Sequence, residues 1–588
     1  MNVAAKLEIV QPIRRVLRWM LSLRDAQGRI LCPVHKIEHT GKNAGVIVIA
    51  CQLAKYSDGE ERSELLEVAR QQARRLVECL EREGESTCFT FRPGRHDPYN
   101  CSNNVIDGGA CSDALAEIVE TFGDQLPAEE RESFTRACVL HAQTYLRYAV
   151  LDKGVPAQRA WAMTGVSGAW RLSRHEVLEL ACTEGAGILE GAQNPDGSFP
   201  YHPLENGAGH PGASDVSAFY HSRIPAFLMF SLERIGRDPT NELFNGPIRR
   251  ALEFLLALQG PDGIKCGLVE AKPWYWGANH EVASHPFDVY ALARGWHHFG
   301  HARLAQGAVR AFRAWVRHLG ADGEPTSHEA REGREASYQC PVFWAGHASW
   351  MARAIPDLQR IFERSDPPSS VGRGGIELAV SHFPDASLAR LEDNKVVAWI
   401  RGARPGLNVH HGSPHGAGLL RVYSKAKQCE LLERRPLASD NPAEWGGIGH
   451  SSLARGWASG SSELRFSLWL ARNDWRAGRF ADALARPGRV LRRGVLAFAG
   501  KAVSSAFHLT PDTILLPDGV TMLSRLAQRD GTPIEDSSIV RTFRVDGDGL
   551  LVEEKLTEAG SATRVAYHVP VTATEERATE NEVAYRLA

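Results

Sequence analysis

Long apolar runs are missing from this sequence. None of its 588 residues lies in a stretch of about 18 uninterrupted apolar residues, the length a membrane-spanning helix needs. The first 23 residues are spaced as on an amphipathic helix, and Arg14, Arg15 and Arg18 interrupt any run that could serve as a signal segment. We therefore expect no membrane association and a cytoplasmic location, or a secreted or periplasmic one if a leader was removed.

Net charge is also small. The chain has 68 Lys and Arg against 70 Asp and Glu, a formal charge of −2, so it has no broad basic field of the kind that binds nucleic acid. We expect no nucleic-acid partner. An anionic ligand must instead be held by a local site.

Paired cysteine motifs are absent as well. The 11 cysteines are an odd number, scattered from Cys32 to Cys429 without any Cys-x-x-Cys spacing. This usage is typical of reduced thiols in a large intracellular protein, not of a disulfide framework or a zinc site. The sequence predicts no metal and no cofactor.

Helical periodicity fills the first 360 residues. Examples are residues 63–81, 175–193 and 248–259, and the helical stretches end at Gly-containing turns near Gly28, Gly84, Gly154, Gly197, Gly263 and Gly323. Successive turns are 43 to 70 residues apart, about the length of two helices and their connections. A hairpin cannot bury its apolar face alone, so we predict a ring of about six αα-hairpins, with an α-solenoid or irregular bundle as alternatives.

Strand patterns replace the helical ones in the last third of the chain. Residues 364–375 are rich in Pro, Ser and Gly, as a linker is. Alternating segments with Gly and Asp turns follow, including 462–471 and 489–500, which indicates an antiparallel sandwich. The predicted fold class is α+β multidomain: an (α/α) toroid over 1–363, a linker over 364–375 and an antiparallel β-sandwich over 376–588.

One group of side chains carries distinctive chemistry. Asn279 and His280 are adjacent, and Tyr338 follows the histidine by 58 residues. An amide that neutralises a carboxylate, with an imidazole and a phenol as proton carriers, suits removal of a proton from the neighbouring carbon.

The order of toroid and sandwich, with this Asn-His pair and this tyrosine spacing, resembles the heparinase II/III-like and alginate-lyase-like polysaccharide lyases. The resemblance implies β-elimination on a glycan that contains uronic acid. It assigns neutralisation of the uronate carboxylate to Asn279, neutralisation or the base to His280, and the base or acid to Tyr338. The expected partner is an anionic polysaccharide or oligosaccharide.

Further residues are candidates for binding the sugar. Trp274 and Trp276 beside Asn279 could stack on sugar rings, and the guanidinium of Arg223 could clamp a carboxylate. His415 matches the position from which such lyases place a sandwich histidine in the cleft; the carboxylate that would complete a zinc site is missing there. The other candidates are Asn104, which lies with Asn103 and Asp107 in a loop before a helix, and Tyr220 and His221, at the start of a helix. His35, Lys36, His39 and Lys42 could face the same mouth.

Three other functions fit parts of the pattern. A glycoside hydrolase on the same toroid would use paired carboxylates, with Asp215, Glu281 and Asp288 as the acids to suspect. A terpenoid cyclase is less consistent because no DDxxD or DxDD cluster occurs. A carbohydrate-binding protein that has lost activity is the non-enzymatic alternative.

Overall fold

A computed structural model gives the architecture. The part of the chain that it describes is residues 3–588 apart from 34–35, 91–101, 153, 202–214, 267–283, 326–340, 365–378, 404–415, 433–443, 450–467, most of 469–500, 529–530, 569 and 571.

The first part of the chain is helical, as predicted. The helices of the described residues are α1 (Val3–Ser22), α2 (Thr40–Ala54), α3 (Gly59–Glu78), α4 (Ser102–Phe122), α5 (Ala128–His141), α6 (Arg147–Asp152), α7 (Pro156–Ser173), α8 (Glu176–Ala192), α9 (Ala218–His221), α10 (Arg223–Arg234), α11 (Glu242–Leu258), α12 (His285–Phe299), α13 (Ala302–Arg317), α14 (Pro341–Gly346), α15 (Ala348–Arg353) and α16 (Ile355–Glu363).

These helices form two concentric layers. Each inner helix packs on the next in the order α2, α4, α7, α10, α12 and α15, and α15 packs back on α2, which closes the ring. All 15 residues of α2 are buried, as a helix enclosed on every side requires. Helices α1, α3, α5, α8, α11 and α13 pack outside them. The predicted toroid of six hairpins is therefore confirmed.

Glycine turns end several of these helices, but one predicted turn has another role. Gly263 has φ +87°, and a Cβ there would collide with the backbone of Arg310 on α13, so only glycine fits the turn after α11. The turn at Gly84, predicted to end a helix, instead joins strands β1 (Leu80–Glu83) and β2 (Ser86–Phe89). Helix α3 has already ended at Glu78.

The last part of the chain is antiparallel sheet. Its strands are β3 (Ala379–Phe383), β4 (Leu388–Glu392), β5 (Val396–Arg401), β6 (Gly418–Ser424), β7 (Cys429–Glu430), β8 (Glu444–Gly449), β9 (Lys501–Ser504), β10 (Asp512–Leu516), β11 (Gly519–Ser524), β12 (Ala527–Gln528), β13 (Ser537–Val545), β14 (Leu550–Ala559), β15 (Thr563–His568), β16 (Thr574–Ala578) and β17 (Glu582–Leu587).

The strands pair into three sheets, in the orders β3-β4-β5-β6-β7, β12-β9-β8-β15 and β10-β11-β13-β14-β17-β16. Inward-facing residues of all three share one apolar core, which confirms the antiparallel sheet architecture. The strand predicted over 462–471 is wrong where the structure describes it, because Leu468 and Ala471 are helical. The strand predicted over 489–500 lies outside the described residues.

One sheet also packs against the toroid. Every residue of β5 is buried, because one face of its sheet meets the sandwich core and the other meets α11. On the α11 side, Trp399 packs with Phe254 and Leu258, and its indole N–H donates to the carbonyl of Ala257 at 2.8 Å. The toroid and the sandwich therefore share an interface of packed apolar side chains.

Candidate active site at the centre of the toroid

The amino ends of the inner helices meet at one end of the ring. Five of the inner helices, α2, α4, α7, α10 and α12, and the short helix α14 that precedes α15 each contribute a side chain from their first two turns to a group of contacts that surrounds the toroid axis. We call this group the central cluster; its members are Lys42, Asp107, Trp161, Arg223, Phe287 and Phe343.

Lys42 and Asp107 form a buried ion pair within the cluster. The Lys42 ammonium lies 3.0 Å from Asp107 Oδ1, and both side chains are less than 5% exposed. The same ammonium lies 4.7 Å from the ring centre of Trp161 and 4.5 Å from that of Phe343, a cation–π arrangement. Burial lowers the pKa of Lys42 and raises that of Asp107, and their mutual attraction opposes both shifts.

Arg223 is surrounded by aromatic rings. Its guanidinium carbon lies 3.9 Å from the ring centre of Phe219 and 4.9 to 5.0 Å from those of Tyr220, Trp161 and Phe287. Arg223 is the first residue of α10. Its charge also acts on Lys42 and Asp107, so the two cations share one electrostatic environment.

The field at the cluster favours an anion. Its members carry two cationic side chains, Lys42 and Arg223, against the single carboxylate of Asp107. Five of the inner helices and α14 also direct their amino ends, the positive ends of their dipoles, toward it. Low solvent exposure makes each of these charges act more strongly than it would in water.

A second set of ion pairs closes the ring below the cluster. Asp113 accepts hydrogen bonds from Arg353 at 2.7 Å and from Arg234 at 2.6 Å, and Arg353 also pairs with Glu117. Between this layer and Lys42 lies a cavity of about 20 Å³, enough for one water molecule. The described side chains thus fill the axis at this depth.

The structure places several of the predicted residues at or near this end. Arg223 is a member of the cluster, and Tyr220 lies beside it, its ring 5.2 Å from that of Tyr201. Asn104 is fully buried in the first turn of α4, although the sequence predicts it in the preceding loop. His221 faces α11 instead: its Nε2 donates to the carbonyl of Ala251 at 2.8 Å, and burial lowers its pKa to about 4.

The predicted catalytic residues lie outside the described part of the chain, but the ends of their segments are described. Asn279 and His280, with Trp274 and Trp276, belong to 267–283; Tyr338 belongs to 326–340; His415 belongs to 404–415. The residues that follow the first two segments open α12 and α14, and these helices bring Phe287 and Phe343 into the cluster. The roles of the six residues stay predictions.

The sequence analysis missed the three aromatic members of the cluster. Trp161, Phe287 and Phe343 are aromatic residues in apolar helices, a pattern that ordinary core packing produces equally well. A lysine on an otherwise apolar helix does indicate a buried ion pair, since a buried ammonium needs a partner. Nothing in the sequence indicates that Asp107, 65 residues later, is that partner.

The described residues contain no group of three or more His, Cys, Asp or Glu side chains that could hold a metal ion. His410, His411 and His415 lie outside that part of the chain. Among the helices of the described residues, none has the length and apolar character needed to cross a membrane.

Comparison with known proteins gives structural neighbours only. No family model and no curated protein matches the chain. A mutant of chondroitin AC lyase from Streptomyces coelicolor is 11% identical, with a TM-score of 0.47 over 95% of this chain and 67% of that one. Cellobiose 2-epimerase from Spirochaeta thermophila is 13% identical, with a TM-score of 0.43 over 60% of this chain and 98% of that one. A possible member of the GH105 family from Salmonella enterica is 13% identical, with a TM-score of 0.41 over 61% and 95%.

Proposed function

We propose that the protein is a carbohydrate-active enzyme and, within that class, a polysaccharide or oligosaccharide lyase that cleaves a uronic-acid-containing glycan by β-elimination. The single observation that carries the proposal is the central cluster, where two cations and several aromatic rings surround the point at which the inner helices begin. Aromatic faces suit sugar rings, and a surplus of positive charge suits a uronate carboxylate.

The reaction needs a group to neutralise the carboxylate. A base removes the proton from C5, the electron pair of that C–H bond becomes the C4–C5 double bond, the C4–O bond breaks, and the leaving oxygen takes a proton from an acid. An ionised carboxylate makes C5 a poor acid, so donors aimed at the developing enediolate lower the barrier. We assign this neutralisation to Asn279 with Arg223, and the acid and base to His280 and Tyr338.

The nearby cations support the use of tyrosine as a base. An unperturbed phenol has a pKa of about 10 and is a weak base at neutral pH. Positive charge at the helix amino ends favours the phenolate form.

Hydrolysis by paired carboxylates has less support. Of the acids suspected for it, Asp215 and Asp288 are described, and Asp288 is 1% exposed and lies 2.8 Å from the ammonium of Lys265. Burial alone would raise the pKa of Asp288, but Lys265 and His285 hold it below its ordinary value. A general acid needs the opposite shift.

The first test separates elimination from hydrolysis and from binding. The purified protein is incubated with alginate, glucuronan, heparan- and chondroitin-type glycans and pectate, and the ultraviolet absorbance of a conjugated C4–C5 double bond is followed. We expect absorbance to rise on one of these substrates and to be lost in Asn279→Ala and Tyr338→Phe. New reducing ends without absorbance would indicate a hydrolase, and affinity without turnover would indicate a binding protein.

A second comparison tests the cation in the cluster. Arg223→Met should lower kcat/KM by about 10- to 100-fold, since a hydrogen bond to a charged group is worth roughly 1.5–3 kcal/mol. Arg249→Met is the matched control: its guanidinium also stacks on a ring, that of Phe299 at 4.8 Å, but it lies on an outer helix. Equal loss in both variants, or none in Arg223→Met at unchanged thermal stability, would contradict the assigned role.

A further inference from the structure

The side chain of Lys265 joins two of the hairpins that build the site. It is completely buried and ends the turn after α11. Its ammonium donates to the carbonyl of Ala218 at 3.0 Å, to Ser284 Oγ at 2.6 Å and to Asp288 Oδ1 at 2.8 Å. The connection between α11 and α12 thus supplies the group that joins the start of α9 to the start of α12.

Both connected elements carry residues of the proposed site. Ala218 begins α9, which leads through Tyr220 to Arg223 at the start of α10. Ser284 and Asp288 lie directly after 267–283, the segment that contains Asn279 and His280. Lys265 itself lies two residues before that segment, so one ammonium holds the chain on either side of it.

The sandwich fixes the turn from which Lys265 extends. Arg421 of β6 donates to Asp262 Oδ2 at 2.6 Å and to the carbonyl of Ile264, also at 2.6 Å. Its Nε pairs with Glu430 at 2.7 Å, and its side chain is 2% exposed. The position of Lys265 is therefore set by the toroid and the sandwich together.

A buried ion pair alone would be a weak explanation for this arrangement. Replacing such a pair with apolar side chains is often neutral or stabilising, because desolvation offsets the attraction. Lys265 differs from an isolated pair in that its ammonium also donates to the carbonyl of Ala218 on α9 and to Ser284 at the start of α12. Beyond neutralising the charge of Asp288, the ammonium fixes the distance between α9 and α12.

We propose that Lys265 is a positioning residue, which sets the spacing between two members of the cluster, Arg223 at the start of α10 and Phe287 at the start of α12. The inference rests on the proposed function. An error of about 1 Å in such a spacing can cost ~100-fold in rate, so a small relaxation of the two hairpins would be measurable.

The test uses the full chain and two matched double variants. Lys265→Met with Asp288→Asn removes the connection without leaving an unpaired buried charge. Arg541→Met with Glu554→Gln removes an ion pair of the sandwich that is equally buried and lies 3.0 Å apart. For both we measure kcat, KM, the melting temperature and amide hydrogen exchange of 217–224 and 284–290.

We expect the Lys265 variant to lose at least about tenfold in kcat at nearly unchanged KM, with faster exchange in both segments. The Arg541 variant should keep its kcat even if its melting temperature falls by the same amount. A kcat within about twofold of the wild type in the Lys265 variant, or an equal fall in the control, would overturn the inference. If the wild type shows no elimination, the proposed function fails, and exchange that stays unchanged in the Lys265 variant alone would still overturn the positioning role.

Discussion

Charged residues lie on the toroid axis in two distinct layers. Near the helix amino ends, Lys42 and Arg223 outnumber Asp107; deeper in the ring, Asp113 and Glu117 are fully paired by two arginines. Burial disfavours every charged form, and close partners restore it. Among the described residues, the upper layer thus has one more cation than carboxylates, whereas both carboxylates of the lower layer are paired with arginines.

Among individual residues, His141 links stability to pH. It is fully buried, its Nδ1 lies 2.7 Å from Ser112 Oγ, and burial lowers its pKa to about 3. The unfolded chain, with an ordinary value near 6.5, binds this proton more readily. The contribution of neutral His141 to the free energy of unfolding is therefore fully present above about pH 6.5 and is lost as the pH drops toward 3.

We expect His141 to contribute a loss of about 2 kcal/mol in unfolding free energy between pH 7.5 and 5, at ~1.36 kcal/mol per pKa unit. Urea unfolding of the wild type and of His141→Gln at both pH values measures the difference. His221, whose pKa is also lowered, is present in both proteins and cancels. If the unfolding free energies of the wild type and of His141→Gln fell equally between the two pH values, His141 would not be the group responsible.

At the scale of elements, the inner ring depends on helices that approach closely. A Cβ on Gly109 of α4 would lie 2.6 Å from the carbonyl oxygen of Trp161 on α7. The glycine is thus required by the neighbouring backbone, and the same contact sets the position of a cluster tryptophan. Gly187 of the outer helix α8 has no such restriction, because nothing lies within 4 Å of a Cβ built on it.

We predict opposite effects for the two Gly→Ala changes. Gly109→Ala should destabilise the protein by about 1–3 kcal/mol, because the added methyl group overpacks the α4–α7 contact. Gly187→Ala should stabilise it by roughly 0.5–1 kcal/mol, because alanine favours a helix. Chemical denaturation measures both; destabilisation by Gly187→Ala, or none by Gly109→Ala, would contradict this account of the ring.

For the whole molecule, the interface between toroid and sandwich determines whether the two parts unfold together. Trp399 is fully buried there and contacts α11 through both its ring and its indole N–H. Trp399→Ala should cost about 3–5 kcal/mol and split the calorimetric unfolding transition into two. Trp475, which is 56% exposed, provides the control, and a single unshifted transition in Trp399→Ala would show that the parts are not coupled through this residue.

The fold class follows from local patterns. A helix such as α2, apolar on every side, is predicted to lie inside, and amphipathic helices to lie outside, because burial of apolar surface is a property of each segment. Alternation predicts the strands in the same way. It was wrong over 462–471, where described residues are helical, because a short apolar segment suits either structure.

Most of the contacts within the site could not be predicted from the sequence, because they form only when the ring closes. Arg223 and Tyr220 are expected at the start of a helix on chemical grounds, and the structure places them there. The pairing of Lys42 with Asp107, the aromatic surroundings of Arg223 and the contacts of Lys265 join residues that are far apart in sequence. A local pattern specifies which side chains face inward, but only the closure of six hairpins specifies which of those side chains meet.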